Sequence, residues 1–409
     1  MMKDADVIVV GAGLTGLRAA LELSKAGLSV LVVEQADGVG GRMRTTPHDG
    51  FLLDHGFQVI LNGYPELRSV SGFSALPVGA FDSGARVRVN GGFVDFYDPR
   101  RHPSKLASAI TSPLYSWADL LRLFRYASLF PDRHPSPSGE TAMSSLRSFG
   151  FTERFVSRFL TPFLSGVLLD PSLSLDSAAA RFYMRVFSDS SAVLPQQGIQ
   201  SLPNLLAQQL GVSHILLRSP VERVGGQEVV LASGETLLCQ AVVVCVDSHA
   251  AAALGGPEQT MPLSASRTAY FAAPVAPYEE RLVALNGTGQ GVICNVTVPS
   301  NVQPSYAPKG QSLVAVTSVG DAATSAEAQH RSSVLGELRE WFGPAASEWR
   351  HLRTFTIRAS VPARPRMEAG AIKHGEVFFA GDYLSYGSQN GALRAGREAA
   401  RLVLESLGR

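Results

Sequence analysis

Four residues near the start of the chain have the types and spacing that bind a dinucleotide. Gly11, Gly13 and Gly16 form a G-x-G-x-x-G turn, and Glu34 follows it. In such a turn the first glycine permits a tight bend, the second lets the backbone approach a pyrophosphate, and the third lets a helix pack closely on a strand. The acid would accept hydrogen bonds from an adenosine ribose. The alternative is a glycine-rich turn in an unrelated α/β domain.

The residues around this turn predict the elements needed to position it. Val7 to Val10 is a short β-branched run, as expected of a buried parallel strand. Leu14 to Lys25 has helical periodicity, and Gly27 follows as a C-terminal cap. Leu28 to Val33 is predicted to be the second strand, which would bring Glu34 to its carboxyl end.

Two further segments carry a family resemblance. Gly38-Val-Gly-Gly41-Arg42 follows Glu34 closely, and near the other end an apolar run from Val377 ends in Gly381-Asp382 before a helix that opens at Asn390. The chain thereby resembles the flavin amine oxidase, phytoene desaturase and protoporphyrinogen oxidase superfamily. The resemblance implies that Arg42 directs charge toward the pyrophosphate and flavin of FAD and that Asp382 binds a ribityl hydroxyl. On the residues alone, Arg42 could be a solvated arginine, Asp382 a turn acid and Asn390 an N-cap.

The resemblance implies FAD as the cofactor. No cysteine follows Cys294, so none is expected near the flavin-facing motif and we predict that FAD is bound non-covalently. The backbone at Val221 is expected to meet the adenine, and the helix start at residues 390–392 is expected to face the electron-rich end of the isoalloxazine. The expected cofactor-binding residues are Gly11, Gly13, Leu14, Thr15, Gly16, Glu34, Gln35, Gly41, Arg42, Gly56, Phe57, Gln58, Val221, Gly381, Asp382, Asn390, Gly391 and Ala392.

Catalytic residues are much less defined by the sequence. His55 and Gln58 follow the Gly-Gly-Arg turn and by resemblance run close to the flavin, although His55 could equally be structural. Lys309 can be likened to the lysine that holds a water near the flavin in amine oxidases, but it lies in a Pro-Lys-Gly turn and a solvated lysine is the simpler interpretation. Tyr383, with Tyr386, could contribute to an aromatic cage for an amine.

The composition agrees with a soluble enzyme and does not favour binding to nucleic acid. The 409 residues contain 36 basic and 35 acidic side chains, which gives a net charge of +1 and no electrostatic case for nucleic acid. The three cysteines have no metal-ligand spacing and the nine histidines form no helical pair, so no metal site is expected. No signal peptide or membrane-spanning run is recognised, and a cytoplasmic location is expected. The oligomeric state stays open.

The predicted fold class is α/β, with an FAD-binding Rossmann-like domain and an inserted α+β substrate domain of mixed sheet and helices. The FAD domain is expected over 1–76, 194–265 and 355–409, and the substrate domain over 77–193 and 266–354 with a helical insertion at about 104–190. In the first segment of the substrate domain, 77–193, we expect a hairpin around Gly91-Gly92 and helices with an apolar stripe from Leu106 to Leu129. In the second segment, 266–354, we expect strands at 269–271, 291–298 and 312–319 and a helix from Ser325 to Phe342. The stretch 131–139 is expected to be a linker.

Function is predicted only to the level of a class. The first hypothesis is an FAD-dependent desaturase or oxidase that takes a hydride from an apolar, isoprenoid- or polyene-like molecule and is reoxidised by dioxygen or a quinone. The alternatives are an amine oxidase that releases peroxide and a flavoprotein without redox turnover, such as an isomerase, carrier or assembly factor. Arginines interleaved with Leu and Phe could form a peripheral membrane contact, or simply the solvated face of a core helix: Arg122, Arg125, Arg147, Arg154 and Arg158.

Overall fold

The fold is organised around a mostly parallel sheet built from the two ends of the chain. The computed structural model describes residues 3–105, 112–128, 138–257, 263–362 and 370–409. Five parallel strands and an antiparallel edge strand are hydrogen-bonded in the order Ile215–Leu216, Val30–Val33, Val7–Val10, Ala241–Val244, Val377–Ala380 and Ala371–His374. The central strands are buried throughout, which accounts for their unbroken apolar sequences. The predicted first strand, and the second strand from Val30 onward, lie where expected.

The helices Leu14–Lys25 and Gln389–Ser406 pack together against this sheet. Gly396 permits their close approach, because a Cβ at this position would collide with the carbonyl oxygen of Thr15. The helix Ser201–Leu210 packs beside the first of them, and a separate antiparallel meander adjoins the central strands with strands Val221–Val224, Glu228–Leu231 and Thr236–Leu238.

A second, larger sheet has seven strands and mixed directions. Their order is Arg350–Pro362, Leu263–Ala273, Ser312–Val319, Asn295–Thr297, Ala284–Asn286, Gly84–Val89 and Gly92–Tyr97. Only the contact between Ala284–Asn286 and Gly84–Val89 is parallel. Two small sheets join the layers: the hairpin Thr45–His48 with Phe51–Asp54, and Ile60–Leu61 with Ala192–Pro195 and Val78–Ala80.

Helices cover one side of the second sheet and enclose an apolar core. They are Trp117–Ser128, Ala142–Ser148, Glu153–Phe155 continued by the π-helical turn Val156–Leu160 and by Thr161–Leu168, and Ser177–Asp189. On the other side lies Glu327–Phe342, and the shorter helices are Ser248–Ala253, Pro299–Val302 and Asp321–Thr324. Short 3₁₀ turns occur at Pro65–Ser69, Phe73–Ala75, Pro103–Lys105, Val212–His214, Pro304–Tyr306, Pro344–Glu348 and Asp382–Leu384.

The α/β class with mixed sheets and helices is confirmed, and two local predictions are corrected. The long helix begins at Glu327 and not at Ser325, because Ser325 ends the preceding short helix Asp321–Thr324 and its hydroxyl donates back to the carbonyl of Ala322. The strand expected at 291–298 is confined to Asn295–Thr297. The parts of the predicted stripe at Leu106, Ile110 and Leu129, and most of the predicted linker 131–139, lie outside the described residues.

Candidate functional site

One long cavity of about 1170 Å³ runs between the two sheets. Its polar end is formed by the carboxyl ends of the parallel strands, where ligands of open α/β sheets bind. Its apolar end lies beneath the helices that cover the second sheet. The two ends therefore differ in the chemistry of the side chains that line them.

The glycine turn at the polar end has the geometry expected of a pyrophosphate cradle. Gly11 has a φ of +101°, and a Cβ there would lie 2.6 Å from the carbonyl oxygen of Cys245. A Cβ on Gly16 would collide with the carbonyl of Gly11, so strand and helix can approach only without a side chain. Gly13 instead faces open space, and no side chain caps the helix that it begins. The first-turn N–H groups of that helix are therefore available to an anion.

Glu34 lies at the end of its strand and lines the cavity, with only 8% of the residue exposed. Its Oε2 accepts a hydrogen bond from the backbone N–H of Ala12 at 2.7 Å, and its Oε1 accepts one from Ala36 at 2.9 Å. These bonds lock the carboxylate against the glycine turn. Each oxygen still has a second lone pair for a ribose hydroxyl. Gln35 and Val221 line the same end of the cavity.

The two outlying motifs meet in this cavity. Arg42 Nη2 forms an ion pair with Asp382 Oδ1 at 2.9 Å, and its Nη1 donates to the carbonyl of Ser360 at 2.6 Å. The charge of Asp382 raises the pKa of Arg42, so this guanidinium stays protonated. Gly41 has a φ of +57°, and its absent side chain leaves room beside the Cα of Gly13. Residues close to both ends of the sequence therefore form one wall of one site.

The start of the C-terminal helix differs from the sequence expectation. The helix begins at Gln389 with Ser388 as its N-cap, whose hydroxyl accepts the N–H of Gly391 at 2.8 Å. Asn390 is fully buried behind the cavity wall, where its Oδ1 accepts the N–H of Glu66 at 3.0 Å and its Nδ2 donates to the hydroxyl of Tyr386. Of the three residues expected to face the flavin, only Ala392 lines the cavity. Asn390 and Gly391 position the helix start.

Two of the four catalytic candidates lie outside the cavity. Lys309 is exposed in its Pro-Lys-Gly turn and does not line the cavity, which agrees with the interpretation of a solvated lysine. Tyr383 is buried in the core beside the parallel sheet, and Tyr386 is buried in a different core where it packs on Phe182, so neither tyrosine lines the cavity. The prediction that these two tyrosines form an aromatic cage is therefore wrong. Tyr64 and Tyr183 line the cavity instead.

His55 and Gln58 do line the cavity, together with Phe57. The His55 ring stacks on Phe355 with centroids 4.6 Å apart, and its Nε2 lies 2.8 Å from the Oγ1 of Thr46. Partial burial, with the nearby charges of Arg44 and Arg353, lowers the pKa of His55, so the imidazole is neutral at neutral pH. Gln58 donates to the carbonyl of Arg42 at 2.8 Å and thereby fixes the arginine turn. Gly56 bends the segment with a φ of +87° but does not line the cavity.

A buried carboxyl group anchors this segment from behind. Asp54 accepts hydrogen bonds from the hydroxyls of Thr45 at 2.6 Å and Tyr306 at 2.8 Å, and from the N–H of Ile199 at 3.0 Å. Burial raises the pKa of Asp54 to about 6, although these hydrogen bonds oppose the rise. Asp54 thus joins three distant segments directly beside His55.

Six phenylalanines line the apolar end, and we call them the phenylalanine wall: Phe81, Phe96, Phe124, Phe159, Phe163 and Phe187. Phe159 and Phe163 stack with an interplanar angle of 3° and centroids 6.0 Å apart, while Phe96 and Phe187 contact them at 4.6 and 5.0 Å. The π-helical turn Val156–Leu160 carries Phe159, and such turns are frequent at functional sites. Met184, Val167 and Leu285 complete an apolar chamber.

Some cavity residues gave no usable signal in the sequence. Ser266, Thr268, Thr317 and Asn295 form a small polar patch on the floor of the chamber, and their isolated positions in strands have no motif. Asp247 could have been found, because it follows the buried strand Ala241–Val244 at the same sheet edge as Glu34. Cys245 also lines the cavity, and its burial raises the pKa of the thiol. Cys239, Cys245 and Cys294 are free thiols.

The residues of the polar end fit a dinucleotide. The cradle combines an uncapped helix start, a glycine whose Cβ would point into open space, and a carboxylate fixed at the end of the second strand. Within the described ranges, no group of three His, Cys, Asp or Glu residues could hold a metal ion. A two-layer protein with this cradle at one end of a long cavity and an apolar chamber at the other defines the class of FAD-binding oxidoreductase folds.

The comparison with known families is consistent with that class. The family model described as "Flavin containing amine oxidoreductase" matches residues 14–404. The chain therefore belongs to the flavin-containing amine oxidoreductase family, and the membership supports FAD as its cofactor. The cofactor-binding roles of individual residues, and the non-covalent attachment, stay predictions.

Curated relatives resemble this chain only over part of their length. A 4,4'-diapolycopene oxygenase from Methylomonas sp is 48% identical over 54 residues, which are 13% of this chain and 11% of that protein. Protoporphyrinogen oxidase 2 from Arabidopsis thaliana is 28% identical over 177 residues, which are 41% of this chain and 34% of that protein. Among solved structures, cyclohexylamine oxidase from Brevibacterium oxydans IH-35A has a TM-score of 0.69 and 21% identity over 99% of this chain and 100% of that chain. At this identity the structural likeness concerns the fold alone.

Proposed function

We propose that this chain is an FAD-dependent oxidoreductase that removes a hydride from an apolar, isoprenoid- or polyene-like molecule. The phenylalanine wall is the observation that carries the proposal. A chamber lined by six aromatic rings favours a ligand that loses its hydration entirely, because each square ångström of buried apolar surface contributes about 25 cal/mol. Dioxygen or a quinone would reoxidise the cofactor.

The carboxylates that line the cavity support an apolar substrate over an ammonium ion. Asp98 is paired with Arg100 and Asp82 with Arg281, and Asp382 is paired with Arg42. Glu34 is held by two backbone N–H groups. The other two carboxylates that line the cavity, Glu222 and Asp247, lie at the cofactor end. Among the described residues, no free negative charge therefore faces the phenylalanine wall, where an ammonium would need one.

The chain's own residues have three tasks in such a reaction. The phenylalanine wall excludes water and orients the substrate by shape, which favours hydride transfer over side reactions. The neutral His55 and Gln58 hold the turn that borders the cofactor end, and neither carries a charge that would repel an apolar substrate. The bound FAD would supply the redox chemistry itself, as acceptor of the hydride.

An amine oxidase is the second candidate, and one observation favours it. Tyr64 and Tyr183 line the cavity, and the Tyr183 hydroxyl donates to the carbonyl of Gly387 at 2.9 Å, next to the start of the C-terminal helix. Two aromatic faces near the cofactor end could receive an amine. An enzyme of this kind must release an aldehyde or ketone together with peroxide when oxygen is admitted.

Anaerobic bleaching of the flavin band tests the proposal. The purified holoprotein is titrated with polyenes, with porphyrinogens and with a panel of amines, and peroxide is measured after oxygen is admitted. Bleaching by polyenes alone supports the proposal, and bleaching by amines with peroxide release supports the second candidate. Tight polyene binding without any bleaching would instead favour a flavoprotein without redox turnover.

A matched pair of variants connects the result to the chamber. Phe163→Gln places a polar amide in the phenylalanine wall, whereas Phe149→Gln alters a similarly half-buried ring that packs on Tyr126 and does not line the cavity. The first variant should weaken polyene binding by about tenfold or more, since an unpaired amide in an apolar site costs about 1–3 kcal/mol. If the two variants weakened polyene binding equally, the chamber would not be the substrate site.

A further inference from the structure

The apolar chamber reaches the surface through a polar rim. Asp98 and Arg100 follow the strand Gly92–Tyr97, and Ser188 and Ser191 lie at and beyond the end of the helix Ser177–Asp189. All four line the same cavity as the phenylalanine wall, and the Arg100 side chain is 47% exposed. We call this set, together with the adjoining Arg101, the arginine rim.

Arg100 connects the arginine rim to the phenylalanine wall. Its guanidinium carbon is 4.6 Å from the ring centroid of Phe124, which is a member of the wall. Its Nη2 bonds to Asp98 at 2.6 Å and to the Ser188 hydroxyl at 2.7 Å. Its Nη1 donates to no acceptor among the described residues. A guanidinium whose Nη1 is open is therefore held in place at the mouth of an apolar chamber.

The charges around the rim do not balance. Asp98 compensates Arg100, Asp82 compensates Arg281, and Asp189 is paired with Arg185. Within the described part of the chain, Arg101 bonds to neutral oxygens alone: the hydroxyls of Ser83 and Ser191 and the carbonyls of Ser188 and Ser190. Asp98 is close enough to Arg101 for its pKa to be lowered by that charge as well, so one carboxylate serves two arginines and this set of side chains carries one net positive charge.

We propose that the substrate held by the phenylalanine wall is amphipathic and ends in a carboxylate, which the arginine rim binds. This inference rests on the proposed function and narrows its substrate class to an apolar chain with an anionic end. The body of such a molecule fills a chamber that offers no charge, while its carboxylate accepts a charge-assisted hydrogen bond from the open Nη1 of Arg100, whose Nε and Nη2 are already held by Asp98 and Ser188. A pure hydrocarbon would leave the rim without a role in recognition.

The competing explanation is that the rim only fastens the loop. Arg100 and Arg101 also join the segment after the strand to the end of the helix, so they could serve stability alone. The two explanations predict different effects on ligand affinity. A structural lock affects every ligand of the chamber to the same extent, whereas a carboxylate site affects only the acid.

Equilibrium binding of parinaric acid and its methyl ester separates these explanations. Parinaric acid is a conjugated polyene acid whose fluorescence increases in apolar surroundings, so binding to the holoprotein is measured without turnover. The parent protein should bind the acid about 10- to 100-fold more tightly than the ester, which is the range for a charge-assisted hydrogen bond. In Arg100→Gln/Arg101→Gln the ratio of the two affinities should fall to near one.

The control is Arg339→Gln, which removes an exposed arginine bonded to Ser347 and far from the cavity lining. It should leave the ratio unchanged. Two results would overturn the carboxylate site: equal affinities of the parent for the acid and the ester, or an equal loss of affinity for both ligands in the double variant. Either result would leave the assignment of the apolar chamber as the substrate site unaffected. If neither ligand binds the parent, the proposed function fails as well, and the inference fails with it.

Discussion

Replacement of Glu34 by alanine should weaken FAD binding by about 10- to 100-fold. The carboxylate lines the cavity and is held by the N–H groups of Ala12 and Ala36 at 2.7 and 2.9 Å. A ribose hydroxyl would donate to an oxygen that is already oriented, so little conformational entropy opposes the bond. A charge-assisted hydrogen bond contributes about 1.5–3 kcal/mol, and every 1.4 kcal/mol changes the dissociation constant tenfold.

The assay must separate the lost ribose contact from a disturbed turn. FAD is removed, and its dissociation constant is measured by fluorescence on titration of the apoprotein, together with the thermal midpoint of the apoprotein. Glu34→Gln keeps one acceptor oxygen beside the turn and should lie between the parent and the alanine variant in affinity. A fall in apoprotein stability with unchanged FAD affinity would mean that Glu34 serves only the fold.

Glu222→Ala is the matched control. Glu222 lines the same end of the cavity, but it is exposed and has no hydrogen-bond partner among the described residues. Removing it deletes the same charge without deleting a fixed acceptor, so the dissociation constant should change by less than about threefold. If the two alanine variants weakened FAD equally, the long-range charge would matter and the assignment of Glu34 as the ribose ligand would be refuted.

Three further predictions concern the cofactor, pH and the surface. FAD should co-purify and be released by heat or acid, because no cysteine follows Cys294; a flavin retained on the denatured chain contradicts this. Burial raises the pKa of Asp54 from 3.8 to about 6, so the stability that comes from its protonated form is present below pH 4 and lost as the pH rises through 6. Asp54→Asn should remove this dependence, and the difference in free energy of unfolding between parent and variant should change by about 2 kcal/mol from pH 4 to 7 in urea titrations; a constant difference contradicts the reasoning. Finally, we propose that the surface bearing Arg122, Arg125, Arg154 and Arg158 docks on anionic bilayers, since each cation contributes about 1 kcal/mol and Trp117 and Leu121 are exposed on the same helix. Co-sedimentation with anionic liposomes at low salt checks this, and an unchanged result after reversal of the four charges to glutamate contradicts it.

The membrane prediction has mixed support from the geometry. The helix Trp117–Ser128 presents Trp117 and Leu121 outward at 49% and 71% exposure, and it contributes Leu123 and Phe124 to the cavity. A lipid could therefore pass from a bilayer directly toward the chamber. Arg122 lies 3.9 Å from Asp119, and Arg147 pairs with Glu153, which reduces the net positive charge of the surface. Among the described residues, no helix has the length and apolar character needed to cross a bilayer.

The cofactor end was predictable because its chemistry depends on local sequence. A turn with glycines at fixed spacing, followed by an acid at the end of the next strand, can be recognised within a few dozen residues. The structure brings Gly11, Gly13 and Glu34 together as that local pattern requires. The helix start predicted at Asn390 is one residue late for a related reason: Ser388 and Asn390 are both good N-cap residues, and the buried bonds of Asn390 to Glu66 and Tyr386 decide between them.

The substrate end could not be predicted in the same way, because distant segments build it. Phe81 follows a strand, Phe96 lies in another, Phe124 is on one helix and Phe187 on a second. Each of these rings has an ordinary place in an amphipathic pattern, and nothing local distinguishes a core ring from one that lines a cavity. Tyr183 and the arginine rim are hidden for the same reason, since Tyr183 bonds to Gly387, 204 positions away, and Arg100 reaches Ser188, 88 positions away.

The assembly of the cofactor end also couples FAD binding to folding. Its walls come from the N-terminal turn, from the segment around Val221 to Asp247, and from residues 381–392, and the ion pair between Arg42 and Asp382 spans 340 positions. A dinucleotide would contact all three segments, none of which forms the site alone. Since a ligand that binds only the folded state stabilises it by RT ln(1 + [L]/Kd), FAD at a hundredfold excess over its dissociation constant would add about 2.7 kcal/mol. The same long-range contacts that define the site therefore make the cofactor part of the fold's stability.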